Sequence, residues 1–400
     1  MKNLSLCDLL VLVSFLFFGC AKPKAQYAEA NDAECQNNKI ANQYIAHWKN
    51  TKPTLVIEND LNAFFNKNSK ELKFIEPNYH LKKQSIYRAE STTINPAAYT
   101  IREMIHTESA WRLGFYGQGI QVAVVDTGVD TAHPLLRSHL AMNKNELMHG
   151  LNHIDDDHNG FIDDVFGWNF ISSQPDSIDE TGHGTAIAGI ITGDSEGPSL
   201  AMAPQAQILA VDFMTETDAT EFHAQQAIAY ALSRHVQIIN NSWTMNCSIL
   251  LKDSFTDWNH ENVIFVNASG NSPVDVDTHS VTPAAFNQSN FLNVGSTNDL
   301  GSRSSFSGYG KTVNLFAPGE AIPIIYTSSG WDLYKTASGT SFSAAIVSGA
   351  AALVWSAYPQ ATALEIISLL HDGADQKFSS EKVLNIKKSL ELGQKRFGQR

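Results

Sequence analysis

Beyond residue 100 the chain repeats one pattern. Short, almost wholly apolar runs (Ile120 to Val125, Ile208 to Val211, Gln237 to Ile239, Val263 to Val266, Phe291 to Val294) alternate with stretches of helical spacing (Thr185 to Ile191, Glu221 to Arg234, Ser341 to Tyr358, Ala363 to His371). A strand that is apolar on both faces needs cover on both faces, and a helix between successive strands makes them parallel. The pattern therefore predicts an α/β fold over residues 101–400, a mostly parallel central sheet with helices on both faces. In such sheets ligands bind beyond the carboxyl ends of the strands. Polar residues that follow the apolar runs are accordingly the first candidates for a functional site.

The amino-terminal quarter follows a different pattern. Residues 1–20 place Lys2 ahead of an apolar run, Leu9 to Phe18, that ends in Gly19-Cys20. The layout is that of an export signal, and the run is about half the ~20 residues a spanning helix needs. A cysteine after a small residue at that point resembles the lipobox of bacterial lipoproteins, which implies acylation of Cys20 and anchoring at the cell envelope; plain secretion is the alternative. Residues 21–39 are polar and aperiodic, a tether. Residues 40–84 carry extended runs at Ala41 to Lys49, Leu55 to Glu58 and Glu71 to Leu81 around a helical segment, Asp60 to Asn66, with Asp60 as N-cap: a small α+β domain. Residues 85–100 are polar, contain Pro96 and suit an exposed linker open to proteolysis.

Composition removes one partner class. Against 28 basic residues stand 41 acidic ones, a net charge of −13, and phosphate backbones need a positive footprint, so no nucleic acid is expected. Of four cysteines, Cys7 leaves with the signal and Cys20 takes the lipid; Cys35 and Cys247 are a disulfide or two thiols, which sequence does not decide.

Three short segments carry chemistry. Asp126 ends an apolar strand in Val124-Val125-Asp126-Thr127-Gly128, where a carboxylate needs a partner for its charge. His183 lies in Thr181-Gly182-His183-Gly184-Thr185, whose glycines remove steric cover from an imidazole that must meet substrate. Ser341 lies in Ser338-Gly339-Thr340-Ser341-Phe342-Ser343, at the start of an apolar helix whose N-terminus favours negative charge. Acyl transfer by serine requires such a nucleophile, a base, an orienting carboxylate and oxyanion donors.

Together these segments resemble the Asp, His and Ser signatures of the subtilases, in that family's chain order. The resemblance extends from Ala110-Trp111 to Leu384-Asn385-Ile386 and includes Ala317-Pro318-Gly319. It implies a serine endopeptidase with Asp126, His183 and Ser341 as catalytic triad and protein or peptide substrates. Ala268-Ser269-Gly270-Asn271 is similar to the segment with the oxyanion-hole asparagine, which implies that role for Asn271. Ser242, Trp243 and Thr244, with Ala268, Ser269 and Gly270, correspond to the walls of the pocket for the side chain before the scissile bond, against which substrate pairs as an added strand. Glu71 to Tyr79 looks like the end of a subtilase propeptide, an intramolecular inhibitor cut between about Leu81 and Tyr99.

The chain also departs from the family pattern. Ala345 and Ile346 stand where relatives often have proline and histidine, Thr244 where glycine is frequent, and Leu135 where many have a calcium-binding aspartate. No cofactor is required for the chemistry. Asp155 to Asp164 does resemble the opening of an EF-hand loop, with Asp155, Asp157, Asn159 and Asp163 as oxygen donors to a structural calcium and a solvated acidic loop as the alternative. His149, His153 and His158 are too loosely spaced to read as a zinc site. A lipase reading fails because Gly339-Thr340-Ser341-Phe342-Ser343 lacks the second glycine of a nucleophile elbow. An inactive surface-binding lipoprotein on the same fold is the competing class.

Overall fold

The computed structural model describes residues 26–27, 38–68, 70–80, 87–89, 97–148, 150–175, 178–195, 197, 199–215, 218–245, 248–326, 334–377 and 381–398. The expected export signal, Cys20, Cys35 and Cys247 lie outside them, as does most of the expected processing window. The chain divides into two compact units, one of residues 1–29 and 40–78, the other of residues 30–39 and 79–400.

The small unit is α+β. Strands β1 (Gln26–Tyr27), β2 (Lys39–Trp48), β3 (Thr54–Ile57) and β4 (Leu72–Tyr79) form a sheet in the order β1-β4-β2-β3. Helix Leu61–Asn68 starts where Asp60 Oδ1 accepts the Ala63 N–H at 3.0 Å, the expected cap. Ala46, Leu72 and Ile75 make its core, with Trp48 and Phe64 packed against them.

In the large unit, the strands that build and flank the site are β5 (Tyr87–Ala89), β6 (Gln121–Asp126), β7 (Gly167–Asn169), β8 (Gln207–Asp212), β9 (Ile238–Asn241), β10 (Ile264–Ala268), β11 (Phe291–Thr297), β12 (Leu315–Pro318), β13 (Ile322–Ile325), β14 (Tyr334–Ser338), β15 (Asp375–Lys377) and β16 (Glu381–Val383). Nine of them form one sheet in the order β15-β16-β12-β11-β10-β9-β6-β8-β7, with every neighbouring pair parallel except β15-β16. From β6 the chain runs to the edge strand β7, returns to β8 between them, and then crosses to build β9 through β12 on the other side of β6, so the strand order reverses at β6 and the crevice opens there.

Alternation along each strand feeds two cores. Val122, Val124, Ile208, Ile238 and Ile264 pack with helices His183–Thr192 and Thr340–Ala357, while Ala123, Val125, Leu209, Ile239 and Phe265 pack with helices Glu221–Ser233 and Ile249–Asp257. Helix Thr340–Ala357 has a mean hydropathy of 1.4, enough for a membrane span, yet all of it is buried, which makes it the core helix of a domain. Within the expected linker, Tyr87–Ala89 joins a three-stranded antiparallel sheet, β13-β14-β5, and helix Ala97–Met104 begins in the linker's last residues.

Candidate active site

Asp126 is the last residue of β6 and fully buried. Its Oδ1 accepts the Thr127 N–H at 2.8 Å and stands 2.6 Å from His183 Nδ1, the partner that a buried carboxylate needs. His183 opens the helix His183–Thr192, and its side chain is 10% exposed, so one edge of the ring faces the crevice. The flanking glycines serve the turn rather than access. A Cβ at Gly184 would sit 2.0 Å from the Gly128 carbonyl oxygen, and Gly182, at φ +81°, would drive a Cβ to within 2.6 Å of the Tyr326 ring. The histidine turn meets the aspartate turn at Gly184, which lacks a side chain, while Gly182 leaves room for the Tyr326 ring.

A residue that sequence reasoning missed fixes that interlock. Asp179 is 4% exposed; its Oδ1 accepts from Thr127 Oγ1 (2.9 Å), Thr181 N (3.0 Å) and Gly182 N (2.8 Å), and its Oδ2 from Thr185 N (2.8 Å). Burial pushes its carboxyl above the ordinary carboxylate range against these hydrogen bonds, first among them that from the Thr185 backbone. The available signal was a carboxylate four residues ahead of His183 in a threonine- and glycine-rich turn.

Ser341 is the second residue of the helix Thr340–Ala357, at the end where backbone N–H groups are unsatisfied. Its hydroxyl donates to the Ser242 carbonyl at 2.9 Å, and the Ser242 hydroxyl donates back to the Ser341 carbonyl at 2.9 Å. Asn271 Oδ1 accepts from Thr340 N (2.8 Å) and Thr340 Oγ1 (2.9 Å), so its amide nitrogen is the donor end. That nitrogen lies beside Gly339, where a Cβ would approach it to 3.1 Å. We expect Asn271→Ala to lower kcat by about 100- to 1000-fold, the scale known for subtilisin, with KM little changed. A steady-state comparison checks it, and an unchanged kcat would remove Asn271 from the oxyanion site.

The two expected wall segments flank this helix end. Thr340 Oγ1 accepts the Gly270 N–H at 3.1 Å, and Ser242, Ala268, Ser269 and Gly270 are buried beside it. Trp243 turns away: its indole is 3% exposed and packs edge-on against Phe213 with ring centroids 5.2 Å apart, so it offers a substrate backbone only. Thr244, 8% exposed, follows it. Two further stretches form antiparallel pairs. His80 bridges Thr220 in antiparallel fashion, and Tyr87–Ala89 pairs antiparallel with β14, the strand that leads into Gly339 and Ser341.

The acidic loop is built around a residue absent from the sequence reading. Glu146, fully buried, accepts the N–H groups of Asp156, Asp157 and Asp163, and one of its carboxylate oxygens lies with one each from Asp155 and Asp157 within 4.8 Å of one another. Asn159 and Asp163 spend their oxygens elsewhere, Asn159 on the Phe161 N–H and Asp163 on the N–H groups of Asn152 and His153. The loop is moored by Asp164, which pairs with Arg234 at 3.0 Å and Tyr230 at 2.6 Å.

Comparison with known proteins agrees with this geometry. Residues 117–390 match the model of the subtilase family. The chain is 30% identical over 296 residues to a thermostable alkaline protease of Halalkalibacterium halodurans, covering 73% of this chain and 72% of that one. It is 33% identical to the major intracellular serine protease of Bacillus subtilis, over 63% of this chain and 73% of that one. Its fold is similar to the crystal structure of a cold-adapted subtilisin-like serine proteinase, with a TM-score of 0.56, 28% identity and coverage of 68% of this chain and 90% of that one. The chain therefore belongs to the subtilase family and is a subtilisin-like serine protease, a hydrolase acting on peptide bonds.

Proposed function

We propose that this protein is an exported, lipid-anchored endopeptidase of the bacterial envelope that cleaves through a Ser341 acyl-enzyme. The observation that carries the mechanism is the 2.6 Å pair of Asp126 and His183 beside the helix end that bears Ser341. Rotation of the serine hydroxyl away from the Ser242 carbonyl delivers its proton to His183 Nε2 as Oγ bonds to the substrate carbonyl carbon. The resulting oxyanion takes hydrogen bonds from Asn271 and the Ser341 N–H. His183 then passes the proton to the leaving amine as the C–N bond breaks, and water repeats the sequence on the acyl-enzyme. Asp126 keeps Nδ1 protonated throughout.

The small amino-terminal unit acts as propeptide in this reading. The antiparallel pairing of Tyr87–Ala89 with β14 supports it, because it holds part of the expected processing window, residues 81–99, against the strand that leads into Gly339 and Ser341. Incubated with a fluorophosphonate probe, the full chain should label and shorten between residues 81 and 99, whereas Ser341→Ala should do neither. Cys20→Ser should leave the protein out of the membrane fraction. A folded wild type that neither labels nor shortens would favour the binding-lipoprotein alternative, and a Cys20→Ser protein still held on membranes would remove the anchor.

Calcium is proposed as a structural ion. Three carboxylates with atoms within 4.8 Å form a hard-oxygen set that mutual repulsion destabilises without a cation. Glu146, Asp155 and Asp157 would hold it, and no step of catalysis runs through it. If calcium at 100 times its dissociation constant stabilises the fold, chelation lowers Tm by about 5 °C. A melting curve indifferent to both chelator and added calcium would rule the ion out.

A further inference from the structure

Along one face of the sheet, Ile239 on β9, Phe265 on β10 and Phe291 on β11 are register partners inside the second core. Two residues further toward the carboxyl ends, on that same face, the register partners are Asn241, Asn267 and Asn293, all at most 1% exposed. They form a ladder: Asn241 Nδ2 donates to Asn267 Oδ1 at 2.9 Å, and Asn267 Nδ2 donates to Asn293 Oδ1 at 2.9 Å. Asn293 Nδ2 donates onward to the carbonyls of Ala284 (2.9 Å) and Thr312 (3.1 Å). The chain around Ala284 returns to the first strand, since Thr282 and Met245 exchange backbone hydrogen bonds of 2.7 and 2.9 Å.

Apolar side chains would fill these positions with no amide to satisfy, as they do two residues earlier in each strand, so stability alone does not account for the row. What the amides add is a fixed lateral spacing. Asn241 immediately precedes Ser242, Trp243 and Thr244, and Asn267 immediately precedes Ala268, Ser269 and Gly270. We infer that the Asn241–Asn267–Asn293 ladder is a specificity-determining device: it sets the distance between the two pocket walls, with Asn267, bonded on both sides, as its positioning residue. The inference rests on the reading of those segments as the walls that receive the side chain before the scissile bond. An amide chain that runs from Asn241 to Asn293 and is anchored there on the Ala284 and Thr312 carbonyls resists spreading because a shift breaks a buried hydrogen bond, whereas apolar contacts slide.

The test uses the processed enzyme and peptide substrates that differ only in the residue before the scissile bond, alanine, leucine or phenylalanine. Asn267→Val should flatten the wild-type ratio of kcat/KM between the best and worst of these by about tenfold, the size of effect that one methylene of misfit has in a pocket. Asn293→Ala, which spares the Asn241–Asn267 bond, should flatten it in the same direction by a smaller factor and decides the matter if Asn267→Val fails to fold. Asn290→Ala is the control: Asn290 is equally buried, but its amide donates to the Trp258 carbonyl at 3.2 Å, outside the ladder. It should lower Tm and leave the ratio unchanged. Ladder variants that lose Tm yet keep the wild-type ratio would overturn the inference, as would a control that flattens it equally. A wild type that cleaves these peptides without preference among them would overturn the wall reading itself.

Discussion

Ser341→Ala is expected to lower turnover by about a million-fold while KM stays within a few-fold of wild type, the scale that subtilisin itself sets for its nucleophile. The reason is chemical rather than structural. Alanine keeps the helix start, the Asn271 contacts to Thr340 and the walls, all of which use other atoms. It removes only the Oγ that bonds to the carbonyl carbon, and with it one buried hydrogen bond to the Ser242 carbonyl. Substrate still binds, but only oxyanion stabilisation and positioning of water remain to accelerate hydrolysis. Initial rates on a fluorogenic peptide, with binding followed separately, check this. A loss below about a hundred-fold would mean that another group is the nucleophile.

The second large effect is expected from Asp126→Asn, about 10⁴-fold in kcat near neutral pH with KM unchanged. The carboxylate has His183 Nδ1 at 2.6 Å and no water-exposed surface, so the imidazole proton is held at Nδ1 and Nε2 stays open to the serine proton. An asparagine that presents its NH2 group to Nδ1 reverses this, because Nδ1 must then accept and Nε2 carries the proton. The residue is otherwise isosteric, so folding survives and Tm should move little. Activity within tenfold of wild type would show that orientation of His183 comes from elsewhere, Asp179 and its turn being the next place to look.

The glycines around His183 have a packing role that the sequence alone does not display. Read along the chain, they open access to an imidazole; in three dimensions, they let two turns touch, with the Gly128 carbonyl in the space where a Gly184 side chain would be. Asp179 and Glu146 were missed for a related cause. Each is a single carboxylate that takes most of its hydrogen bonds from backbone N–H groups, and a backbone donor leaves no mark in a sequence. Asp163 illustrates the converse: alternate spacing proposed it as a cation donor, while the close carboxylate set takes Glu146 with Asp155 and Asp157.

What the sequence determined by itself was whatever depends on local periodicity and short motifs. Doubly apolar strands required a parallel sheet covered on both faces, and the small residues around Asp126, His183 and Ser341 marked three turns that carry the candidate site. Tertiary structure decided what depends on register between distant strands: the reversal of strand order at β6, the withdrawal of the Trp243 indole into the core, and the alignment of Asn241, Asn267 and Asn293 on one row. These three asparagines stand 26 residues apart in each step, a separation at which side-chain periodicity carries no information. Only the hydrogen bonds between neighbouring strands, which fix register to the residue, bring them together.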